Sequence, residues 1–273
     1  MSLLDTYAIA GLAILVAVVG LWLASLALRD CSIIDVFWGA GYVACAWIYF
    51  SFTPEGLGPR KWLVCILATL WGLRLAVHIL RRNWGKGEDY RYRSWRQAGG
   101  KRWWWQSLFK VFLLQGALMW LISIPLLAAQ AQPGAGKLSW LDALGVTIWL
   151  VGFVFEAGGD WQLTRYKADP ANRGKLLTTG LWRYSRHPNY FGDAAQWWGL
   201  YLFAAAAGGY WTIYSPLLMT WLLVRVSGVA LLEKALVDTK PGYAEYMQTT
   251  SAFIPRPPRR QPQAGVMKKG DQT

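Results

Sequence analysis

Residues 180 to 193 read GLWRYSRHPNYFGD. Within this stretch Arg183, Arg186 and His187 offer cationic or ionisable groups, Asn189 an amide and Asp193 a carboxylate. Lys175 stands just before it, and Asp160, Arg165 and Lys167 lie upstream. An arginine grips a phosphate through two parallel donors, whereas a lysine acts as a point charge. Carboxylates such as Asp160 and Asp193 accept hydrogen bonds from ribose hydroxyls, and an asparagine both donates to and accepts from an amide, the group a nicotinamide carries. This combination suits a dinucleotide better than a bare anion. The competing reading is that the cations only mark the cytoplasmic ends of membrane spans.

Those residues need elements to hold them, and the composition says which kind. The 273-residue chain is 55% hydrophobic and 16% charged, whereas a soluble domain is about one quarter charged. Apolar runs near the roughly 20 residues that cross a bilayer recur at Ala8–Leu28, Ile33–Phe52, Trp62–Leu80, Leu108–Ala128, Trp140–Phe155, Ala194–Trp211 and Ile213–Leu236. The expected fold is all-α, a polytopic integral membrane protein of about seven transmembrane helices. Lys and Arg gather in Arg81–Arg102, in Arg165–Arg186 and after Lys240, while Ala129–Ser139 has one Lys and Gly208–Tyr210 none. With the N-terminus outside, seven spans put every basic segment and the C-terminus in the cytoplasm. The expected setting is a bacterial inner membrane with the site facing the cytoplasm. Residues 1–255 read as one membrane-embedded domain with 139–255 as its cofactor-binding core, and the Pro-rich, basic 256–273 as a disordered tail. The opening run lacks a basic n-region and exceeds a signal-peptide core, so it reads as the first membrane helix.

The net charge of +13 does not make this a nucleic-acid binder, because the basic residues sit where topology puts them and no soluble module remains. They stay available to anionic headgroups or a phosphorylated ligand. Glu88–Gln106, mixing basic and aromatic side chains, reads as an interfacial segment broken at Gly99-Gly100. Cys31, Cys45 and Cys65 have no CxxC spacing and read as apolar packers. His78 and His187 lie too far apart for a metal site, and none is expected. There is no HExxH, GxSxG or P-loop, and GKGEDY at Gly85–Tyr90 lacks the context of a Rossmann fingerprint. Arg225 falls about halfway along the seventh run, with Glu233 about two turns further on the same face. A charge at the bilayer centre costs roughly 2.5–3.5 kcal/mol, so it marks a cavity or a partner.

GLWRYSRHPNYFGD followed by WWGLYL, with LLEKALVDTKPGYAEYMQTTSAFIP near the end, resembles the steroid 5-alpha-reductase family of membrane reductases, and in particular its bacterial, largely uncharacterised branch. The resemblance covers roughly Val151 to Pro255, and WGLRLAVHILRRNWGKGEDYRY resembles the same branch. It implies NADPH held in a cytoplasm-facing pocket among the later helices. Asn189 and Asp193 match the family's Asn-aromatic-x-Gly-acid motif, and Asp160 an Asp on the fifth helix. Lys167 and Lys175 stand where the family has arginines, and Arg225 matches an Arg of the last helix. Asn83 and Lys86 resemble an Asn-x-Gly-Arg stretch that reaches the cofactor. Arg183, Arg186 and His187, with Tyr243 and Tyr246 of the C-terminal segment, complete the expected cofactor set. The family's early Gln-Glu pair is missing, which leaves Asp35, Tyr42 and His78 as candidate proton donors.

The expected function is NADPH-dependent reduction of an activated carbon–carbon double bond in an apolar lipid, steroid-like or isoprenoid. The alternative is an S-adenosylmethionine-dependent methyltransferase of the isoprenylcysteine carboxyl methyltransferase type, which shares RHPxYxG. Those enzymes carry Arg-x-x-Glu-Glu on the last helix, where this chain has Arg225-Val226-Ser227-Gly228-Val229. A non-catalytic lipid-binding scaffold is the third reading.

Overall fold

The computed structural model describes residues 1–132, 137–226 and 228–259, which contain no strand. The helices are α1 (Leu3–Leu28), α2 (Ile33–Phe52), α3 (Gly58–Asn83), α4 (Tyr90–Gly99), α5 (Trp103–Ser107), α6 (Leu114–Ile122), α7 (Ile124–Ala131), α8 (Trp140–Ala168), α9 (Pro188–Ala206), α10 (Tyr214–Trp221), α11 (Val229–Thr239) and α12 (Tyr243–Thr249). Among the described residues five helical runs are long and apolar enough to cross a membrane: α1, α2, α3, the composite Tyr90–Ala131 and α8. The composite run is α4 to α7 joined by a 3-10 turn at Gly100–Arg102 and a π-helical turn at Leu108–Leu113.

The chain divides into two compact units. The front unit is Met1–Trp149 with Trp197–Met219, and the back unit is Leu150–Gln196 with the residues from Thr220 onward. In the front unit α1 opens with a capping box: Ser2 Oγ accepts from Asp5 N at 3.1 Å, and Asp5 Oδ2 accepts from Ser2 N at 3.0 Å, so two donors of the first turn are satisfied reciprocally. Helices α2 and α3 touch backbone to backbone. A Cβ added at Gly39 would lie 2.2 Å from Gly72 O, and one at Gly72 would lie 2.5 Å from Gly39 O. Small residues permit this approach, which is how helices pack tightly in lipid. Around it sit Tyr42, Trp71 and Trp197, all fully buried, with Tyr42–Trp197 ring centroids 4.6 Å apart and Trp71–Trp197 at 5.4 Å and 90°.

Helix α3 begins at Gly58, ahead of the expected Trp62, and carries Arg60 into the protein. Arg60 meets Asp142 of α8 in a two-pronged pair, Nε–Oδ1 2.6 Å and Nη2–Oδ2 2.9 Å. Asp142 Oδ2 also accepts from Ser139 N and Oγ at 2.6 and 2.9 Å. The pair leaves almost no charged surface exposed.

The expected helix Ile213–Leu236 is not continuous. A 3-10 turn at Tyr210–Ile213 leads into α10, a π-helical turn follows at Leu222–Val226, and α11 restarts after Gly228. Gly228 suits this break because an added Cβ would lie 2.0 Å from Leu223 O. Glu233 therefore sits on a different helix from Arg225. Of the expected disordered tail 256–273, Arg256 and Arg259 are tied down, their amides donating to Tyr184 O at 2.9 Å and Thr249 O at 2.8 Å. Residues 260–273 lie outside the described residues.

Candidate functional site in the back unit

Helices α8 and α9 cross on glycines. A Cβ at Gly192 would lie 2.3 Å from Glu156 N and 2.4 Å from Gly152 O. The close approach brings polar side chains from distant parts of the sequence face to face. Asn189 Nδ2 donates to Asp160 Oδ1 at 3.0 Å, and Gln196 Nε2 donates to Glu156 Oε2 at 2.5 Å. Asp160, Asp193, Glu156 and Gln196 are all buried. Asp160 lies one helical turn beyond Glu156, and Asp193 lies one turn beyond Asn189, so α8 and α9 carry a ladder of amides and carboxylates.

The loop that precedes α9 is fastened to α8. Leu181 N donates to Gln162 Oε1 at 3.0 Å and Trp182 Nε1 donates to Gly159 O at 3.1 Å. A Cβ at Gly159 would lie 3.2 Å from Pro188 Cγ and 3.3 Å from Asn189 N, so a larger residue would have to push the start of α9 back by a few tenths of an ångström.

Arg186 and His187 turn toward the C-terminal segment. Arg186 Nε donates to Glu233 Oε1 at 2.7 Å, and its Nη1 donates to Met247 O at 3.1 Å and to Thr250 O. The Arg186 amide donates to Ser251 O at 2.8 Å. Ser185 Oγ donates to Phe253 O at 2.8 Å and receives the His187 amide at 3.1 Å. His187 Nε2 lies 3.2 Å from Glu233 Oε1, and its ring stacks on Tyr190 at 5.6 Å. Tyr246, buried, donates its hydroxyl to Trp182 O. Burial alone would raise Glu233, but hydrogen bonds from His187 and Arg186 and the Arg186 charge bring it down to about 2. Burial pushes the Tyr243 hydroxyl up to about 12, with the Glu233 charge adding to it.

The remaining expected cofactor residues are more open. Lys167, Lys175, Arg183 and Arg225 are exposed, and Lys175, Arg183 and Arg225 make no ion pair among the described residues. Beside the Asp160 turn lies a cavity of about 370 Å³ lined by Arg165, Tyr166, Asp169 and Asn172, among others; Arg165 sits 5.5 Å from the Trp161 ring centroid. Arg225, expected deep within a span, instead occupies the π-helical turn that ends α10.

Other expected residues belong to the front unit. Asn83 Oδ1 accepts from Arg82 Nε at 3.2 Å, and Lys86, exposed, donates its amide to Asn83 O at 3.0 Å. Asp35 accepts from Arg91 Nη2 at 3.0 Å and from the Tyr92 hydroxyl at 2.6 Å, while Gln115 Nε2 donates to that hydroxyl at 3.1 Å. Tyr42 is enclosed by Trp71 and Trp197, and His78 is partly exposed on α3. The described residues hold no group of three or more His, Cys, Asp or Glu able to bind a metal.

Sequence reasoning missed the Glu156–Gln196 pair. The available signal was a carboxylate four residues before Asp160 inside an apolar helix.

The described geometry can be set beside known proteins. An uncharacterised protein of Schizosaccharomyces pombe is 29% identical over 268 aligned positions, spanning 86% of this chain and 76% of its own. No solved structure matches. A family described as a protein of unknown function, DUF1295, matches residues 21–250, which covers both units and the whole α8–α9 ladder. The chain belongs to this DUF1295 family, which is steroid 5-alpha-reductase-like.

Proposed function

We propose that the chain is an integral membrane reductase that takes NADPH on its back unit and saturates an activated carbon–carbon double bond in an apolar lipid, steroid-like or isoprenoid. The observation that carries this reading is the Asn189–Asp160 hydrogen bond of 3.0 Å, set beside the buried Asp193 and close in sequence to Lys175 and Arg183, which make no ion pair among the described residues. The donor set fits the cofactor. The Asn189 amide, oriented by Asp160, is suited to a carboxamide, Asp193 to hydroxyls, and Lys175, Arg183 and Arg225 to phosphates. Relation of the family to steroid reductases supports the same reading.

NADPH, when bound, supplies a hydride for the carbon beta to a carbonyl. The chain's own work is positional and electrostatic. Asp160 holds the Asn189 amide in one orientation, and Arg186 with Glu233 anchors the loop that leads into α9, at whose start Asn189 sits. Lys167, Lys175, Arg183 and Arg225 would balance the cofactor's phosphate charge. A proton from a general acid completes the reduction. In the topology we favour, seven spans have the N-terminus outside a bacterial inner membrane. The last span runs from Tyr210 to Val226, and α11 and α12 lie in the cytoplasm with the cofactor site.

The test is thermal stability of the detergent-purified protein with NADPH, NADH and S-adenosylmethionine in turn. A ligand that binds only the folded state stabilises it by about 2.7 kcal/mol at a hundredfold excess over Kd. NADPH is expected to raise the melting temperature, Asn189→Ala to abolish the rise, and the exposed Arg183→Gln to weaken it without altering the ligand-free melting temperature. A rise with S-adenosylmethionine alone overturns the reductase reading in favour of methyl transfer.

A further inference from the structure

The front unit contains a cavity of about 770 Å³ that the cofactor reading does not use. It is lined by Trp95, Ala98, Gly99, Lys101, Arg102, Trp103, Gln106, Lys110 and Leu114, so three cations and an amide face the same space with no carboxylate among the lining residues. None of the three cations makes a hydrogen bond or ion pair among the described residues. The neighbouring cation is accounted for differently: Arg96 Nη2 reaches Glu88 Oε1 at 2.8 Å and its Nε reaches Glu88 Oε2 at 2.9 Å. Glu88 is held further by the Cys31 amide at 2.9 Å, and these contacts keep its carboxyl below the usual range despite partial burial, which opposes them. The two acids nearest in sequence are thus already paired, Glu88 with Arg96 and Asp89 with Arg91 at 2.9 Å, and the charge of Lys101, Arg102 and Lys110 is left for a ligand.

The backbone is shaped for this convergence. Gly100, with φ +50 and ψ −131, takes a positive-φ conformation that glycine adopts freely, turning the chain between α4 and α5. At Gly99 an added Cβ would lie 2.9 Å from Gln106 Oε1, so a larger residue there would push the Gln106 amide aside. The π-helical turn Leu108–Leu113 then carries Lys110. Trp103 is 3% exposed, and its indole Nε1 has no hydrogen-bond partner among the described residues. Around the cations, Trp95, Trp104, Trp105, Phe109 and Leu114 all expose large apolar surfaces. Aromatics at headgroup depth beside cations form the chemical profile of a bilayer interface.

We infer that this cavity is a binding site for the phosphate of an anionic membrane phospholipid, with Lys101, Arg102 and Lys110 on the phosphate and Trp95, Trp103 and Leu114 against the glycerol and upper acyl chain. The site rests on the membrane reading above but not on the cofactor. Its ligand differs from NADPH in having an apolar tail that the exposed aromatics cover.

Native mass spectrometry of the full chain in mild detergent, titrated with phosphatidylglycerol and separately with phosphatidylcholine, tests this. A cation near an anionic lipid is worth about 1 kcal/mol, roughly fivefold in affinity, so three give on the order of a hundredfold. The wild type is expected to prefer phosphatidylglycerol. The triple variant Lys101→Gln, Arg102→Gln, Lys110→Gln is expected to bind the two lipids alike, at an unchanged melting temperature because all three residues are exposed. A Lys240→Gln control should keep the preference. Competition by millimolar glycerol 3-phosphate would reassign the site to a soluble phosphate ester and overturn the lipid inference. An unchanged preference in the triple variant, or no preference in the wild type, also overturns it. Extraction of the protein by detergent but not by high salt or alkali reports the membrane reading separately. NADPH shifts report the cofactor reading, so each can fail alone.

Discussion

Arg186 is the most heavily committed side chain of the RHP stretch, and its removal gives the sharpest prediction. Its guanidinium is 7% exposed and faces Glu233, 14% exposed, at 2.7 Å, while two further acceptors are the carbonyls of Met247 and Thr250. Breaking a buried pair costs about 3–5 kcal/mol; because His187 still faces Glu233 at 3.2 Å, the lower end, about 3 kcal/mol, applies to Arg186→Ala. Glu233→Ala leaves the two carbonyls on the guanidinium and removes one charge-assisted bond, about 2 kcal/mol. Having lost the pair once, the double variant should fall short of the sum by about 2 kcal/mol. Hydrogen exchange reads the opening at the Arg186 amide, bonded to Ser251 O, and at the Arg256 amide, bonded to Tyr184 O. Protection there should drop on the order of a hundredfold in Arg186→Ala and roughly thirtyfold in Glu233→Ala, at tenfold per 1.4 kcal/mol. Lysine gathers its donors on one nitrogen and lacks the planar fork that reaches Glu233 through Nε and the carbonyls through Nη1, so Arg186→Lys should restore only part of the protection. The pH dependence has a definite sign. Glu233 is lowered from 4.5 to about 2, so its contribution is complete above about pH 4.5 and disappears as pH falls toward 2. The melting-temperature gap between wild type and Glu233→Gln should accordingly close across that window. Additive costs in the double variant, full rescue by lysine, or a gap that widens on acidification would refute this account of Arg186.

Two further predictions concern packing. Asp142→Ala leaves the Arg60 guanidinium, 2% exposed, without its carboxylate and should cost about 3–5 kcal/mol in reversible unfolding from mixed micelles, whereas Arg60→Leu with Asp142→Leu should recover most of that loss. Gly192→Ala drives a methyl into Glu156 N and Gly152 O and should lower the melting temperature sharply; Gly20→Ala, with nothing within 4 Å of the added Cβ, should be neutral or stabilising by up to about 1 kcal/mol.

Much of the fold was legible because apolar runs of spanning length are a one-dimensional signal. The runs at Ala8–Leu28 and Ile33–Phe52 coincide with α1 and α2 within a few residues. Where the sequence misled, the cause was three-dimensional. Ile213–Leu236 reads as one long run because its charges, Arg225, Glu233 and Lys234, are few; the break rests on a π-helical turn and on Gly228 meeting Leu223 O, which no periodicity records. The start of α3 was read four residues late because Arg60 and Lys61 look like a solvated helix end. With Asp142 identified as its partner, Arg60 becomes an interior residue.

Asp160 and Asn189 were both singled out from residue type, and the structure joins them by a hydrogen bond across 29 positions. Glu156 and Gln196 carry the same kind of information, but nothing in their spacing marks them as partners. Their partnership explains why α8 and α9 cross where they do. The glycines at 152 and 192 would allow several neighbouring registers, since each only removes an obstacle. A buried carboxylate does not tolerate a choice: shifted by one residue along α8, Glu156 would lose Gln196 and turn toward lipid, at a cost of at least roughly 2.5 kcal/mol. Asp160 would lose Asn189 in the same step, because the two pairs lie on one helical face. Glycines thus set how closely the helices approach, and the two polar pairs set the register. The register fixes the position of the Asn189 amide, the group on which the proposed cofactor site depends.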